Sequence, residues 1–201
     1  MDLFTQAVLY LRPGGIMMLP IIIVSLVMWA LIIERAIYFQ KIEQRDISLE
    51  QAVELMEGKL TIPIDELSLA GLRARMVANF LKARTGSPQL DLSILEHCTL
   101  RERPELRRYI AVIAVLAAVA PLLGLLGTVS GMMTTFNVIS IFGTGNAKAM
   151  AGGISEALLT TQSGLLVAIP GLYMSIYLSR HAKRLEDRLD EVVLTLKRFV
   201  S

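Results

Sequence analysis

The chain has 201 residues, of which 54% are apolar and only 6% aromatic, and 20 Lys and Arg against 18 Asp and Glu leave a net charge of +2. A mean hydropathy of +0.56 and a charged fraction of 19%, below the ~25% usual for globular domains, exclude an ordinary soluble domain, and the balanced charge argues against a nucleic-acid binder. The single cysteine, Cys98, excludes a disulfide framework and any cysteine-based zinc or iron–sulfur site.

In chain order, residues 1–14 predict a short helix on the outer membrane interface, with Leu3, Phe4, Ala7, Val8 and Leu11 loosely on one face. The Pro13-Gly14-Gly15 break ends it. The run from Gly15 to Ile33 is uncharged, and at roughly 20 residues per crossing it predicts transmembrane helix 1 over 15–33. It reads as an N-out anchor rather than a cleaved leader, because Glu34-Arg35 stands where a small-residue cleavage site would be. Segment 34–108 holds twelve acidic and twelve basic residues and predicts a solvated cytoplasmic helical region. Pro63, Pro88 and Pro104 divide it into helices near 34–57, 65–84 and 89–100, with another running from Pro104 into the next span. Ser87-Pro88 has the form of an N-cap followed by proline at the first helical position. Transmembrane helix 2 is expected over 109–136, an external connection over 137–155, transmembrane helix 3 over 156–178 and a helical cytoplasmic tail over 179–201. Segments 34–108 and 179–201 hold eighteen of the twenty basic residues. The positive-inside rule therefore places them in the cytoplasm and the N-terminus outside. The expected fold is an all-α membrane protein with three transmembrane helices and long cytoplasmic helical extensions.

One pattern runs through the third span and the tail. Thr161, Gly164, Ala168, Gly171, Ser175, Leu178, Ala182, Leu185, Leu189, Val192, Leu196 and Phe199 are spaced alternately by three and four, the seam of a helix packed on neighbours. Its members are small within the membrane and mostly large in the tail, as expected where lipid offers no hydrophobic drive and water does. Pro170 removes the bond to the Leu166 carbonyl and predicts a kink. The seam fits packing among the three helices of one chain, and it also fits assembly of several chains; its unbroken length favours assembly. The second span carries Ala111, Ala114, Ala118, Pro121, Gly124, Gly127 and Gly131, the last two forming a GxxxG pair.

Two features carry candidate chemistry. Thr128 either lines a pathway or bonds back to its own helix, as membrane threonines often do. Glu156 is the only acidic residue between Glu105 and Glu186, and it heads the third apolar run with Thr160 and Ser163 on one helical face. It reads equally as an ion-path group and as an interfacial glutamate stabilised by a helix N-terminus.

The blocks Pro121-Leu-Leu-Gly-Leu-Leu-Gly-Thr128-Val-Ser-Gly-Met, Gly153-Ile-Ser-Glu156-Ala-Leu-Leu-Thr-Thr161 and Gly164-Leu-Leu-Val-Ala-Ile-Pro170-Gly closely resemble the ExbB/TolQ/MotA proton-channel proteins. The three-span, N-out layout resembles ExbB and TolQ rather than four-span MotA, and Ile141-Phe-Gly-Thr-Gly-Asn with Thr160-Thr161-Gln162 leans toward ExbB of TonB systems. Ser130 stands where the family often has tryptophan. The resemblance implies a pentameric ring in the bacterial inner membrane around an ExbD-like single-span partner, energising a TonB-like protein. It also implies that Thr128, Thr161 and Glu156 line the proton pathway and that Pro121 and Pro170 shape the helices. Gly124, Gly127, Gly131, Gly164 and Ala168 are the expected helix-packing residues. A TolQ-like subunit of an envelope-maintenance system and a passive membrane scaffold are the alternatives. An ideal helix places Thr160 near the Glu156 face and Thr161 about 140° from Glu156, so the two pathway positions on the third span need not share one surface. No enzymatic activity, cofactor or metal is expected: the histidines, His97 and His181, lie in the cytoplasmic segments, leaving a membrane serine without a base. His97-Cys98 reads as packing rather than ligation. Membrane lipid and protein partners are expected, and nucleic acid is not.

Overall fold

The computed structural model describes residues 14–56, 59, 63, 67 and 71–200. Among these residues all regular structure is helical: α1 (Met18–Gln44), α2 (Leu49–Met56), α3 (Leu72–Ala83), α4 (Pro88–Arg107), α5 (Ile110–Phe142) and α6 (Ala147–Val200), with a 3₁₀ turn at Gly143–Gly145 between the last two. Helices α1, α5 and α6 contain stretches long and apolar enough to cross a membrane. The interfacial helix expected at 1–14 lies, apart from Gly14, outside the described residues, as does most of 64–70 at the start of the helix expected at 65–84.

Three boundaries differ from the sequence reading. The helix expected at 34–57 is two helices, since α1 ends at Gln44 and α2 starts at Leu49. Ser48 and Gln51 stop and restart the chain: the Gln51 amide donates to Ser48 Oγ at 3.1 Å while the Ser48 amide donates to Gln51 Oε1 at 3.0 Å, a reciprocal capping box. Pro104 does not end a helix but lies inside α4, on an exposed face where water can satisfy the carbonyl it leaves free. The break falls instead at Tyr109, whose φ of 63° is left-handed and ends the helical run. Finally, α5 continues to Phe142 and α6 begins at Ala147, so the connection expected over 137–155 narrows to a few residues. There Gly143 has φ 65°, and Asn146 Oδ1 accepts from the Ala149 amide at 3.1 Å as the N-cap of α6.

The chain forms two compact units. The membrane unit combines residues up to Ile32 with Ala111–Ile176. Its buried ladder is Ile113, Ala117, Ala120, Gly124, Gly127, Gly131 and Thr135 on α5 against Gly153, Ala157, Thr160, Gly164, Ala168, Gly171 and Ser175 on α6. A Cβ on Gly164 would stand 2.7 Å from the Ala120 carbonyl oxygen and 3.2 Å from Gly124 Cα. A Cβ on Gly124 would stand 2.9 Å from the Thr160 carbonyl oxygen. The two backbones therefore touch, which is how membrane helices gain van der Waals energy without a hydrophobic drive. The large side chains Leu122, Leu125, Leu126, Leu165, Leu166 and Ile169 stay exposed on the outer faces.

The second unit comprises Ile33–Ile110 and Tyr177–Ser201. Here Leu178, Ala182, Leu185, Leu189, Val192 and Leu196 are buried, and each large side chain so buried contributes about 1.5–3 kcal/mol. Ion pairs fix the register of α6 on α4: Arg107 with Glu186, Arg103 with Asp190 and Lys197 with Glu96. Moving back along α4 matches moving forward along α6, so the two run antiparallel. The side chain of Arg35 is fully buried. It forks onto Glu34 through two 2.6 Å bonds and donates to the Glu105 carbonyl at 2.9 Å, which also accepts the Arg108 amide at 3.4 Å at the end of α4. Its guanidinium also lies 4.4 Å from the Tyr38 ring centroid and 5.3 Å from that of Tyr109, a cation–π cage around the break.

Every described side chain of the seam expected on α6 is buried or half-buried, Phe199 lying outside this description. The seam is filled from within one chain, so its length carries no argument for assembly. Ala111 and Ala118 are exposed, and Ala117 and Ala120 take the contact instead. Helix α6 passes through Pro170 without interruption.

Candidate functional site: the α5–α6 hairpin

The hairpin owes its geometry to small residues at alternating three- and four-residue spacing on both helices. Gly124 meets Thr160, Thr161 and Gly164; Gly127 meets Thr160; Gly131 meets Gly153 and Ala157. Gly124, Gly127, Gly131 and Gly164 lie in this contact, and they and Ala168 are buried. Pro121 and Pro170 are half-buried inside α5 and α6.

This register positions the three polar candidates. Thr128 follows Gly127, whose partner is Thr160, so Thr128 and Thr161 belong to one layer of the hairpin. Both are half-buried. Thr128 Oγ1 donates to the Leu125 carbonyl at 2.6 Å. Thr161 Oγ1 lies 3.2 Å from the Ala157 carbonyl and 3.5 Å from the Gly124 carbonyl, the second contact crossing to α5. Each hydroxyl thus parks its proton on a backbone carbonyl and keeps its lone pairs free, able to accept from a group arriving from outside the hairpin. Glu156 is five positions before Thr161, about 7.5 Å along the axis at 1.5 Å per residue, in the layer of Gly131. The structure therefore stacks the three within about two turns of α6 without bonding any of them to another.

Thr160 sits differently from either of its neighbours in the motif. It is fully buried, its hydroxyl bonds the Ala157 and Glu156 carbonyls at 2.9 and 3.1 Å, and it fills the notch at Gly127. The face expected to carry Glu156, Thr160 and Ser163 together is thus divided. Thr160 is a packing residue in the buried α5–α6 ladder, and Thr161 beside it is the partly open one. The angular separation between neighbouring helix positions is the physical cause.

One contact had no sequence signal beyond a glycine pair. The carboxylate of Glu156 lies against the backbone of Gly15, which has φ 63°. Next to it, an open groove of about 420 Å³ is lined by Met18, Ile21, Ser25, Leu159, Gln162 and Ser163, among other residues. Among the described residues no cluster of three or more His, Cys, Asp or Glu could hold a metal ion. Cys98 is buried, and burial raises its thiol pKa, which keeps it a packing residue.

Residues 60–191 match the MotA/TolQ/ExbB proton channel family. The chain is 35% identical over 196 residues to the protein named ExbB-like 3 of Synechocystis sp., with 92% of this chain and 93% of that protein covered. It is 29% identical over 186 residues to the biopolymer transport protein ExbB of Neisseria meningitidis serogroup A, with 84% of this chain and 83% of that protein covered.

Proposed function

The chain belongs to the MotA/TolQ/ExbB proton channel family, and from that premise we propose that it is an ExbB-type subunit that harvests proton-motive force for biopolymer transport. The observation that carries the reading is the layer in which Thr128 and Thr161 stand half-open on neighbouring helices, with Glu156 about one and a half turns before Thr161 on α6. In this reading the chain sits in the bacterial inner membrane with its N-terminus periplasmic and its C-terminus cytoplasmic. Five copies form a ring around an ExbD-like single-span protein, and a TonB-like protein carries the output.

The physical basis is the energy available to a moving charge. One elementary charge crossing the membrane gains about 2.3 kcal/mol per 100 mV, enough to bias a conformational equilibrium roughly fiftyfold at that potential. A carboxylic acid carried by the partner would find Thr128 and Thr161 as hydroxyls that accept or donate without themselves becoming charged. Glu156 would supply the ionisable group on the outer side, where a carboxylate concentrates cations and protons. Because the α6 seam is filled from within the chain, ring assembly in this reading uses the exposed faces of α5 and α6.

The test replaces Glu156, Thr128 and Thr161 singly by Ala in cells whose outer-membrane uptake depends on this chain. Each variant is expected to lower force-dependent uptake at least tenfold at unchanged membrane abundance. Full uptake in all three would overturn the channel reading in favour of a passive scaffold. Recovery of a TolA-like rather than a TonB-like protein with the complex would redirect it to envelope maintenance.

A further inference from the structure

The chain turns into α1 through Gly14 and Gly15, and Gly15 takes a left-handed φ of 63° that other residues rarely adopt. A side chain here meets a second obstacle. A Cβ on Gly15 would overlap Glu156 Oε1 and stand 2.5 Å from Glu156 Cδ and 3.1 Å from Cγ. All three nearest atoms belong to one side chain, the only acid in the described part of the membrane unit. By contrast, the three atoms nearest a Cβ on the neighbouring Gly14 all belong to Met18, at 3.1–3.4 Å.

We infer that Gly15 is the positioning residue for Glu156: its bare backbone seats the Glu156 carboxylate at the outer end of α6. The inference rests on the proposed proton-handling role of Glu156 and adds the element that holds it. A glutamate on a helix has several rotatable bonds, and immobilising such a side chain removes up to ~2 kcal/mol of rotamer freedom. Packing on the Gly15 backbone restricts that freedom before any proton arrives. Proton transfer requires heavy atoms within about 2.6–3.2 Å, so a displacement of about 1 Å in the carboxylate costs flux severely. The start of α1 thus belongs to the proton path, although Gly15 itself has nothing to titrate.

The experiment measures proton influx into liposomes containing the full chain purified with its co-expressed single-span partner, over a range of external pH and normalised to assembled complex. Gly15→Ala is expected to lower influx at least tenfold and to shift its pH midpoint. Gly15→Asn behaves the same, because Asn tolerates a left-handed φ yet still brings a Cβ. Glu156→Asp alone also loses flux, its carboxylate falling short of the seat by about 1.5 Å, one C–C bond. In Gly15→Ala combined with Glu156→Asp, the shorter acid makes room for the methyl, and influx returns to within about threefold of the unsubstituted complex. Wild-type influx in Gly15→Ala, tolerance of Asn where Ala fails, or a double variant no better than the single ones would each overturn the positioning role. Glu156→Gln, measured in parallel, separates the two levels. Full influx there sinks the channel reading itself, whereas lost influx there with normal Gly15→Ala sinks only the role of Gly15.

Discussion

Two glycines of α6 make opposite predictions for the same substitution. A Cβ on Gly164 would stand 2.7 Å from the Ala120 carbonyl oxygen and 3.2 and 3.3 Å from the Cα and N of Gly124. Ordinary contact begins near 3.4 Å. All three atoms are backbone, so no rotamer change relieves the overlap and the helix pair must open by about 0.5–0.7 Å. A radial gap of that size forfeits about a quarter or more of each van der Waals well along the contact. Overpacking of this kind costs about 1–3 kcal/mol, offset by the ~1 kcal/mol that Ala gains over Gly in a helix. The net expectation for Gly164→Ala is a loss of up to about 2 kcal/mol. A Cβ on Gly152 meets nothing within 4 Å, so Gly152→Ala should gain up to about 1 kcal/mol by propensity alone. The assay is unfolding of the purified protein in mild detergent, followed by helical circular dichroism. A Gly164→Ala protein as stable as Gly152→Ala would refute the claim that backbone contact holds the hairpin together.

At Gly127 the obstacle is a side chain, that of Thr160, so removing it should help. Gly127→Ala is expected to destabilise by about 1–3 kcal/mol, and a double-mutant cycle with Thr160→Gly should show a favourable coupling of at least about 1 kcal/mol. Additive effects would place the strain elsewhere. In the second unit the buried carboxyl of Glu186 accepts two bonds from Arg107 at 2.6 and 2.7 Å, and these hold its pKa below the ordinary 4.5. A depressed carboxyl contributes stability that is fully present above its unfolded pKa and is lost as pH falls through the folded one. Stability should therefore drop below about pH 4.5, and Arg107→Gln should flatten that acid limb while destabilising the protein at neutral pH; an unchanged acid limb would rule the pair out. Asp46 Oδ1 accepts from the Arg73 and Ala74 amides at 2.9 and 3.4 Å, capping α3 from a distant stretch of chain. Asp46→Ala should cost about 0.5–2 kcal/mol and Asp46→Asn much less, since the amide oxygen still accepts. Burial raises the Asp46 pKa, so its charged form burdens the fold at high pH. Titration of the Asn variant should show that burden removed.

Much of the architecture was legible before any coordinates. Three uncharged runs flanked by basic segments can satisfy their backbones in a membrane only as helices, and the alternation of three and four on α6 names the buried face because helical periodicity is rigid. Thr128 and Glu156 could be singled out by residue type and position, whereas the pathway role of Thr161 came only with the family resemblance. The breaks within 34–108 were less visible. Proline is a loud signal and Pro104 was read as a boundary, yet α4 absorbs it on an exposed face. The true breaks at 45–48 and Tyr109 are held by the Ser48–Gln51 box and by Arg35, whose Glu105 and Tyr109 contacts lie far away in sequence.

The sequence by itself determined which faces are apolar, which are small and where charge cannot follow, since those properties belong to residue type and local period. Only the tertiary structure decided what those faces meet. It filled the membrane part of the α6 seam with α5 of the same chain, a choice periodicity cannot make because a neighbour's helix and a chain's own present the same surface. It also separated Thr160, buried in the notch at Gly127, from Thr161, left half-open. And it brought Gly15 against Glu156 across the length of the chain, a contact made by an absent side chain, which leaves no local pattern to read.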